Sequence, residues 1–130
     1  MTEGVIVGFD FGEKRLGVAI GNTLTREAKP YKIIDSRTNA SRWQGVSAVI
    51  EEWSPVALVV GIPRHPDGTA HEMTERCERF ARQLEGRFHL PVKRVDERYS
   101  SAVVDSDANF IDDEAASIIL QQFFNESDYE

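Results

Sequence analysis

The chain has one cysteine, Cys77, so no intrachain disulfide can form, and a reducing compartment is the expectation. No run approaches the roughly 18 apolar residues of a membrane span, and the opening MTEGVIVGFD has an acid where a secretory leader would carry bases, so it reads as a strand and not as a signal peptide. Those absences lead to the expectation of a cytoplasmic protein with no membrane partner. There is no P-loop, His65, His71 and His89 lack zinc spacing, and no Pro/Gly/Ser-rich linker or internal repeat divides the chain. With 130 residues the chain suits a single domain spanning 1–130 with one core. Basic residues are absent from the last quarter. All 15 Lys and Arg lie at or before Arg98, where they face 14 acids, while residues 99–130 carry 8 acids and no base. The net charge of −7 argues against nucleic acid at first, but a site that traps divalent cations must itself concentrate carboxylates.

What is present begins with alternation. Residues 4–10 and 15–21 read as strands joined through the short FGEK turn, and residues 31–35 as a third strand after a break at Pro30. Three short strands in succession imply an antiparallel meander. The period then changes: Trp43, Val46, Val49, Ile50 and Trp53 recur at helical spacing over 41–53, with Ser41 and Gln44 placed as a capping box. Residues 56–61 form an apolar strand covered on both faces, and the two prolines and Asp67-Gly68 of 62–70 imply a loop. A helix follows over 71–87, with Met73, Cys77, Phe80, Ala81 and Leu84 inward and Glu72–Arg76, Glu75–Arg79 and Glu78–Arg82 spaced for ion pairs on its outer face. A fifth strand over 91–95 delivers Asp96-Glu97-Arg98, Ser100-Ser101 suits a helix start, and a last helix spans 112–124. The order β-β-β-α-β-α-β-α predicts an α/β fold: a five-stranded mixed sheet, three antiparallel strands then two parallel strands, flanked by helices.

Acids fall at the ends of these elements: Asp10 after the first strand, Asp96 and Glu97 after the fifth, Asp112 and Asp113 at the start of the last helix. If the first and fifth strands run parallel, the acids converge at the carboxyl ends of the strands, where open sheets bind ligands. Carboxylates sharing one pocket repel without a cation, and oxygen-only ligands suit Mg²⁺ or Mn²⁺. Plainer readings stand beside this one. Asp10 alone suits a turn, Asp112 an N-cap, Asp113 a helix-dipole partner, and Asp96-Glu97-Arg98 a surface ion-pair cluster. Cys77, on an apolar helix face, reads as core.

Four segments in order, GFDFGEKRLGVAIG, LVVGIPRHPDG, VKRVDERYSS and DDEAASIILQQFF, resemble the YqgF-type (RuvX) family of pre-16S ribosomal RNA nucleases, also called Holliday junction resolvases and related to RuvC-type enzymes. The similarity spans about residues 4–124. It implies a ribonuclease-H-like fold, dependence on Mg²⁺ or Mn²⁺, and action on the 5′ end of pre-16S RNA, with a DNA-junction nuclease or a non-catalytic RNA-, ribosome- or transcription-binding module as alternatives. By position it assigns catalysis to Asp10, Glu97 and Asp112. Asp96 joins them as a metal ligand, and Asp112 is preferred to Asp113 by alignment on Ile118-Ile119-Leu120. Phosphate contact is assigned to Lys14, Arg15 and Arg98, with Arg64 added; for Arg15 and Arg98 an internal ion pair with these acids is the alternative. The protein is expected as a monomer or weak homodimer. Where family members carry a longer Lys/Arg-rich segment before the last helix, this chain has the short acidic AVVDSDANFI, which implies fewer phosphate contacts there.

Overall fold

A computed structural model describes residues 3–65, 67–98 and 112–126, with Arg98, Asp112 and Asp113 placed by backbone alone. Strands β1 (Val5–Asp10), β2 (Arg15–Asn22) and β3 (Glu27–Asp35) precede helix α1 (Asn39–Trp53). Strand β4 (Ala57–Arg64), helix α2 (Thr74–Phe88), strand β5 (Val92–Arg98) and helix α3 (Asp112–Glu126) follow. The sheet order is β3-β2-β1-β4-β5. β1–β2 and β2–β3 pair antiparallel, whereas β1–β4 and β4–β5 pair parallel, as the element order predicts. The expected start of a helix at Ser100-Ser101 and the acidic segment 102–111 lie outside the described residues.

Period-2 alternation separates two cores. Val7, Phe9, Leu16, Val18, Leu58, Val60 and Ile62 face α1 and α2, where Trp43, Val46, Val49, Phe80 and Leu84 meet them. Trp43 stacks on Phe80 at 5.5 Å and Phe9 meets the same ring edge-on at 5.7 Å. The opposite face carries Ile6, Ala19, Val59 and Val95 and is covered by Ala116, Ile119, Leu120 and Phe124 of α3. That face is thin by design of the sequence. A Cβ on Gly8 would lie 2.9 Å from Leu120 Cβ, and one on Gly61 only 2.6 Å from Ile119 Cδ1, so α3 seats against bare backbone. Among the described residues no helix is long and apolar enough to cross a membrane.

Several element boundaries differ from the local reading. β3 begins at Glu27 and runs through Pro30, which pairs with Ala19 beside a register shift at Val18/Ala19; an edge strand tolerates a missing N–H at such a bulge. β4 continues through Ile62, Pro63 and Arg64 where a loop was expected. Its ladder to β1 ends at Phe9↔Val60, so beyond that point Pro63 faces β5 alone. β5 likewise holds Asp96, Glu97 and Arg98 within the strand.

The cap of α1 is Thr38, not Ser41. The Thr38 hydroxyl accepts from Ser41 N at 3.1 Å, while the Ser41 hydroxyl is spent on Asp35 O at 3.0 Å. α2 starts at Thr74, after a turn in which Thr74 N donates to His71 O at 3.0 Å. The i,i+4 pairs expected along α2 give way to longer reaches. Arg76 pairs with Glu13 of the β1–β2 turn, Arg82 with Glu75 at 2.8 Å, and Arg94 of β5 with Glu78 and Glu85 at 3.0 and 3.1 Å.

Candidate active site

Strand parity decides which acids meet. In β1, Ile6 and Gly8 face α3, so Asp10, two residues on, ends the same face. In β5, Val95 faces α3, and Glu97 follows it; the ideal Cβ of Gly61 would lie 3.4 Å from Glu97 Cγ and against Ile119. Gly61 pairs with Val95 and belongs to β4, the strand between Asp10 and Glu97. The centre of the site is thus a position with no side chain, flanked by two carboxylates on a shared face.

Glu97 carries the electrostatic signature. Its Oε1 is buried and has no hydrogen-bond partner among the described residues. Burial, then the charges of Asp10, Glu126 and Asp96, push its pKa up to about 7. A desolvated carboxylate with an orphan oxygen and a second carboxylate within electrostatic reach is a donor set that suits a cation. Hard oxygen donors of this kind fit a divalent ion such as Mg²⁺ or Mn²⁺.

The third expected acid arrives on α3. Leu120 stands over Gly8 and Phe124 over Gly21, which pairs with Ile6, so the helix runs opposite to β1. The Ala116 carbonyl lies 3.5 Å from the ideal Cβ of Gly8. Asp112 opens α3, the helix that covers the face shared by Asp10 and Glu97 and that reaches β5 through Gln122, which donates to Asp96 O. The side chains of Asp112 and Asp113 lie outside the described residues, and among the described side chains no group of three metal-ligating residues occurs.

Asp96 does not join Asp10 and Glu97. Being the neighbour of Glu97 within a strand, it projects to the α1/α2 face, where its Oδ1 lies 3.7 Å from Arg64 Nε, with both side chains partly exposed. Its backbone carbonyl accepts from Gln122 of α3 at 3.3 Å. The metal-ligand expectation for Asp96 is corrected by that alternation. Asp96 adds negative charge near Glu97 but faces the other way.

The residues expected to contact phosphates lie at the same end of the sheet but not on one face, since Arg64 stands beside Asp96 on the α1/α2 side. Lys14 and Arg15 are exposed in and beside the β1–β2 turn. Arg15 shares the parity of Gly17 and Ala19, hence the α3 face. Arg64 and Arg98 oppose each other in register at the ends of β4 and β5.

Gly12, which the sequence reading placed in the turn, and partners that local reading did not single out hold this turn in place. A Cβ on Gly12 would lie 2.5 Å from Arg15 O, so no other residue fits that bend. Phe11 packs on Phe80 at 4.9 Å and under the Arg42 guanidinium at 5.1 Å. Arg42 donates from Nε to Ser36 Oγ and from an NH2 group to Ser36 O, both at 2.8 Å, and Ser36 N donates to Lys14 O at 2.9 Å. Gly61 had a readable signal, a glycine inside an apolar strand run. Arg42 had none, because its partners are remote in sequence. Cys77 is buried as expected, and its thiol is pushed up to about 12 by burial, Asp10 and Glu78, which leaves it unreactive.

Comparison with known proteins gives the family and the fold. The family model described as "RuvX: Holliday junction resolvase" matches residues 4–126. A protein of Paraburkholderia xenovorans named "Putative pre-16S rRNA nuclease" is 51% identical over 130 residues, covering 95% of this chain and 89% of its own length. A protein of Paraburkholderia phytofirmans with the same name is 52% identical with the same coverage. Among solved structures, Thermus thermophilus RuvC in complex with a Holliday junction substrate superposes with a TM-score of 0.53 at 14% identity, covering 94% of each chain. That likeness shows the RuvC-type, ribonuclease-H-like fold.

Proposed function

The chain belongs to the RuvX family, nucleases in the sense of hydrolases acting on nucleic acids, and from that premise we propose that it hydrolyses phosphodiester bonds in 5′-end processing of pre-16S rRNA. The relatives named for that activity, about half identical over nearly the whole chain, support the substrate. The observation that carries the chemistry is the orphan Glu97 oxygen on the face it shares with Asp10. Asp10, Glu97 and Asp112 would hold Mg²⁺ or Mn²⁺. Such an ion supplies charge to the scissile phosphate and lowers the pKa of a bound water.

The chain's own groups do the rest. Glu97, whose pKa burial and the neighbouring acids raise to about 7, would be one of the residues that hold the ion and would do so in its ionised form. Lys14, Arg15, Arg64 and Arg98 meet the phosphates along the strand-end edge and set the register of the polymer. The pinned β1–β2 turn keeps Asp10 and the Lys14-Arg15 pair in fixed relation, which is what a rigid scaffold contributes to a site. The expected setting is the cytoplasm, with assembling ribosomal RNA as the partner.

The test is cleavage of a labelled precursor RNA in Mn²⁺ by the wild type and by Asp10→Asn. A loss of at least about 100-fold is expected from removing one ligand charge, and equal product from both would strike Asp10 from the mechanism. The family description and the RuvC likeness favour one second reading, a four-way DNA junction as substrate, which needs a symmetric pair of subunits. A junction cut faster than the RNA in the same assay would select it. Binding without cleavage in any divalent metal would instead point to a non-catalytic module.

A further inference from the structure

The connection from β4 to α2 is built more firmly than a linking loop requires. Arg64 and Ala70 form an antiparallel bridge, and His65 N donates to Thr69 O at 3.0 Å. Asp67 Oδ1 accepts from Thr69 N at 2.9 Å and from its hydroxyl at 2.7 Å. At the far end the buried Thr74 hydroxyl donates to Pro63 O and accepts from His71 N at 2.7 Å. These bonds bring two imidazoles together, with ring centroids 5.2 Å apart and planes tilted by 46°. His71 is oriented by Met73 N, which donates to its Nδ1 at 3.1 Å, and His65 is exposed beside it.

His65 is exposed and His71 half-buried. The described residues hold no group of three metal-ligating side chains, so the pair is not a metal site on what they show. Its place is informative. The arm leaves β4, the strand between those of Asp10 and Glu97, and begins at Arg64 on the phosphate-binding edge. A polynucleotide that meets those strand ends has this arm, on the strand between them, as a neighbour along its path.

We propose that His65, seated against His71 and flanked by Arg64, is a stacking platform for an unpaired RNA base next to the scissile phosphate, so that the protein selects single-stranded RNA there over continuous duplex. The inference rests on the nuclease reading and adds the substrate's local form to it. Histidine rings and arginine planes are among the groups that stack on splayed RNA bases, whereas bases inside an A-form helix are already stacked and out of reach. A platform fixed by backbone hydrogen bonds loses little freedom when the base arrives.

The experiment uses the full chain with Asp10→Asn, which removes turnover and leaves binding to be measured. RNAs carrying 2-aminopurine beside the cleavage position are titrated single-stranded and as duplex. The single-stranded probe is expected to be quenched on binding. His65→Ala should weaken that RNA about 10-fold and abolish the quench, His65→Tyr should restore both, and duplex affinity should stay the same in all three. Unchanged single-stranded affinity with the quench intact in His65→Ala overturns the proposal, and so does an equal loss on single strand and duplex. The quench needs no catalysis, so a His65-dependent signal beside a wild type that cleaves neither RNA nor junction in any divalent metal would sink the nuclease reading and spare the platform.

Discussion

The two faces of the sheet solve different problems. The face toward α1 and α2 is filled by large rings and branched chains, with Phe80 touching Phe9, Phe11 and Trp43 at once. The face toward α3 sets glycines and alanines among Ile6, Val59 and Val95 and lets one helix sit close. Thick packing stabilises the fold. Thin packing brings the end of a helix within reach of strand-end carboxylates and strips water from one of them. The lesson is that the site's electrostatics are purchased by removing side chains from the sheet, not by adding polar ones.

The contrast can be broken most severely on the thick side. Phe80→Ala should cost about 3–5 kcal/mol of stability, read as a lower denaturation midpoint, while protein that stays folded in the cold keeps the metal affinity of the wild type. A variant that loses metal binding in step with stability would show that the two faces are not separable.

On the thin side, Gly61→Ala places a methyl 2.6 Å from Ile119 Cδ1. It should cost about 1–3 kcal/mol by overpacking and reduce cleavage by more than its stability loss explains, because the displaced Ile119 side chain repacks against Glu97. Ile119→Val in the same molecule should recover part of both. Cleavage kinetics beside chemical denaturation check this.

The smallest effect is the pH response of Glu97. Its folded pKa of about 7 stands above the ordinary value of 4.5, so the folded state holds a proton that the unfolded chain has released. That contribution is complete below pH ~4.5 and is lost as pH rises through about 7. In metal-free protein the decline should be on the order of 1–2 kcal/mol once partial exposure of the carboxyl is allowed for. Glu97→Gln should flatten it, and Mn²⁺ should reverse it at pH 8 in the wild type only. Melting temperature against pH, with and without Mn²⁺, reads all three arms.

Much of this was legible in the chain. The alternation in VIVGFD and RLGVAIG, the helical spacing from Trp43 to Trp53 and the apolar stripe around Phe80 each act over a few residues, and each element forms where they lie. Legibility failed where a partner strand decides the matter. Ile62-Pro63-Arg64 look like a loop because prolines usually end strands, yet they pair with Asp96-Glu97-Arg98 because β5 is there to pair with. The ion pairs along α2 failed for the same reason: Glu13 and Arg94 compete for its charges from elsewhere in the fold.

From its order of residues alone the chain determined its elements, their sequence and the acids at their ends, since hydrophobic period and turn chemistry are short-range. Only the tertiary structure decided that Glu97 and not Asp96 shares a face with Asp10, that α3 covers that face closely, and that one carboxylate oxygen is left dry and without a partner among the described residues. Those outcomes depend on sheet register, close helix docking and the loss of water, which are set by residues far apart along the chain.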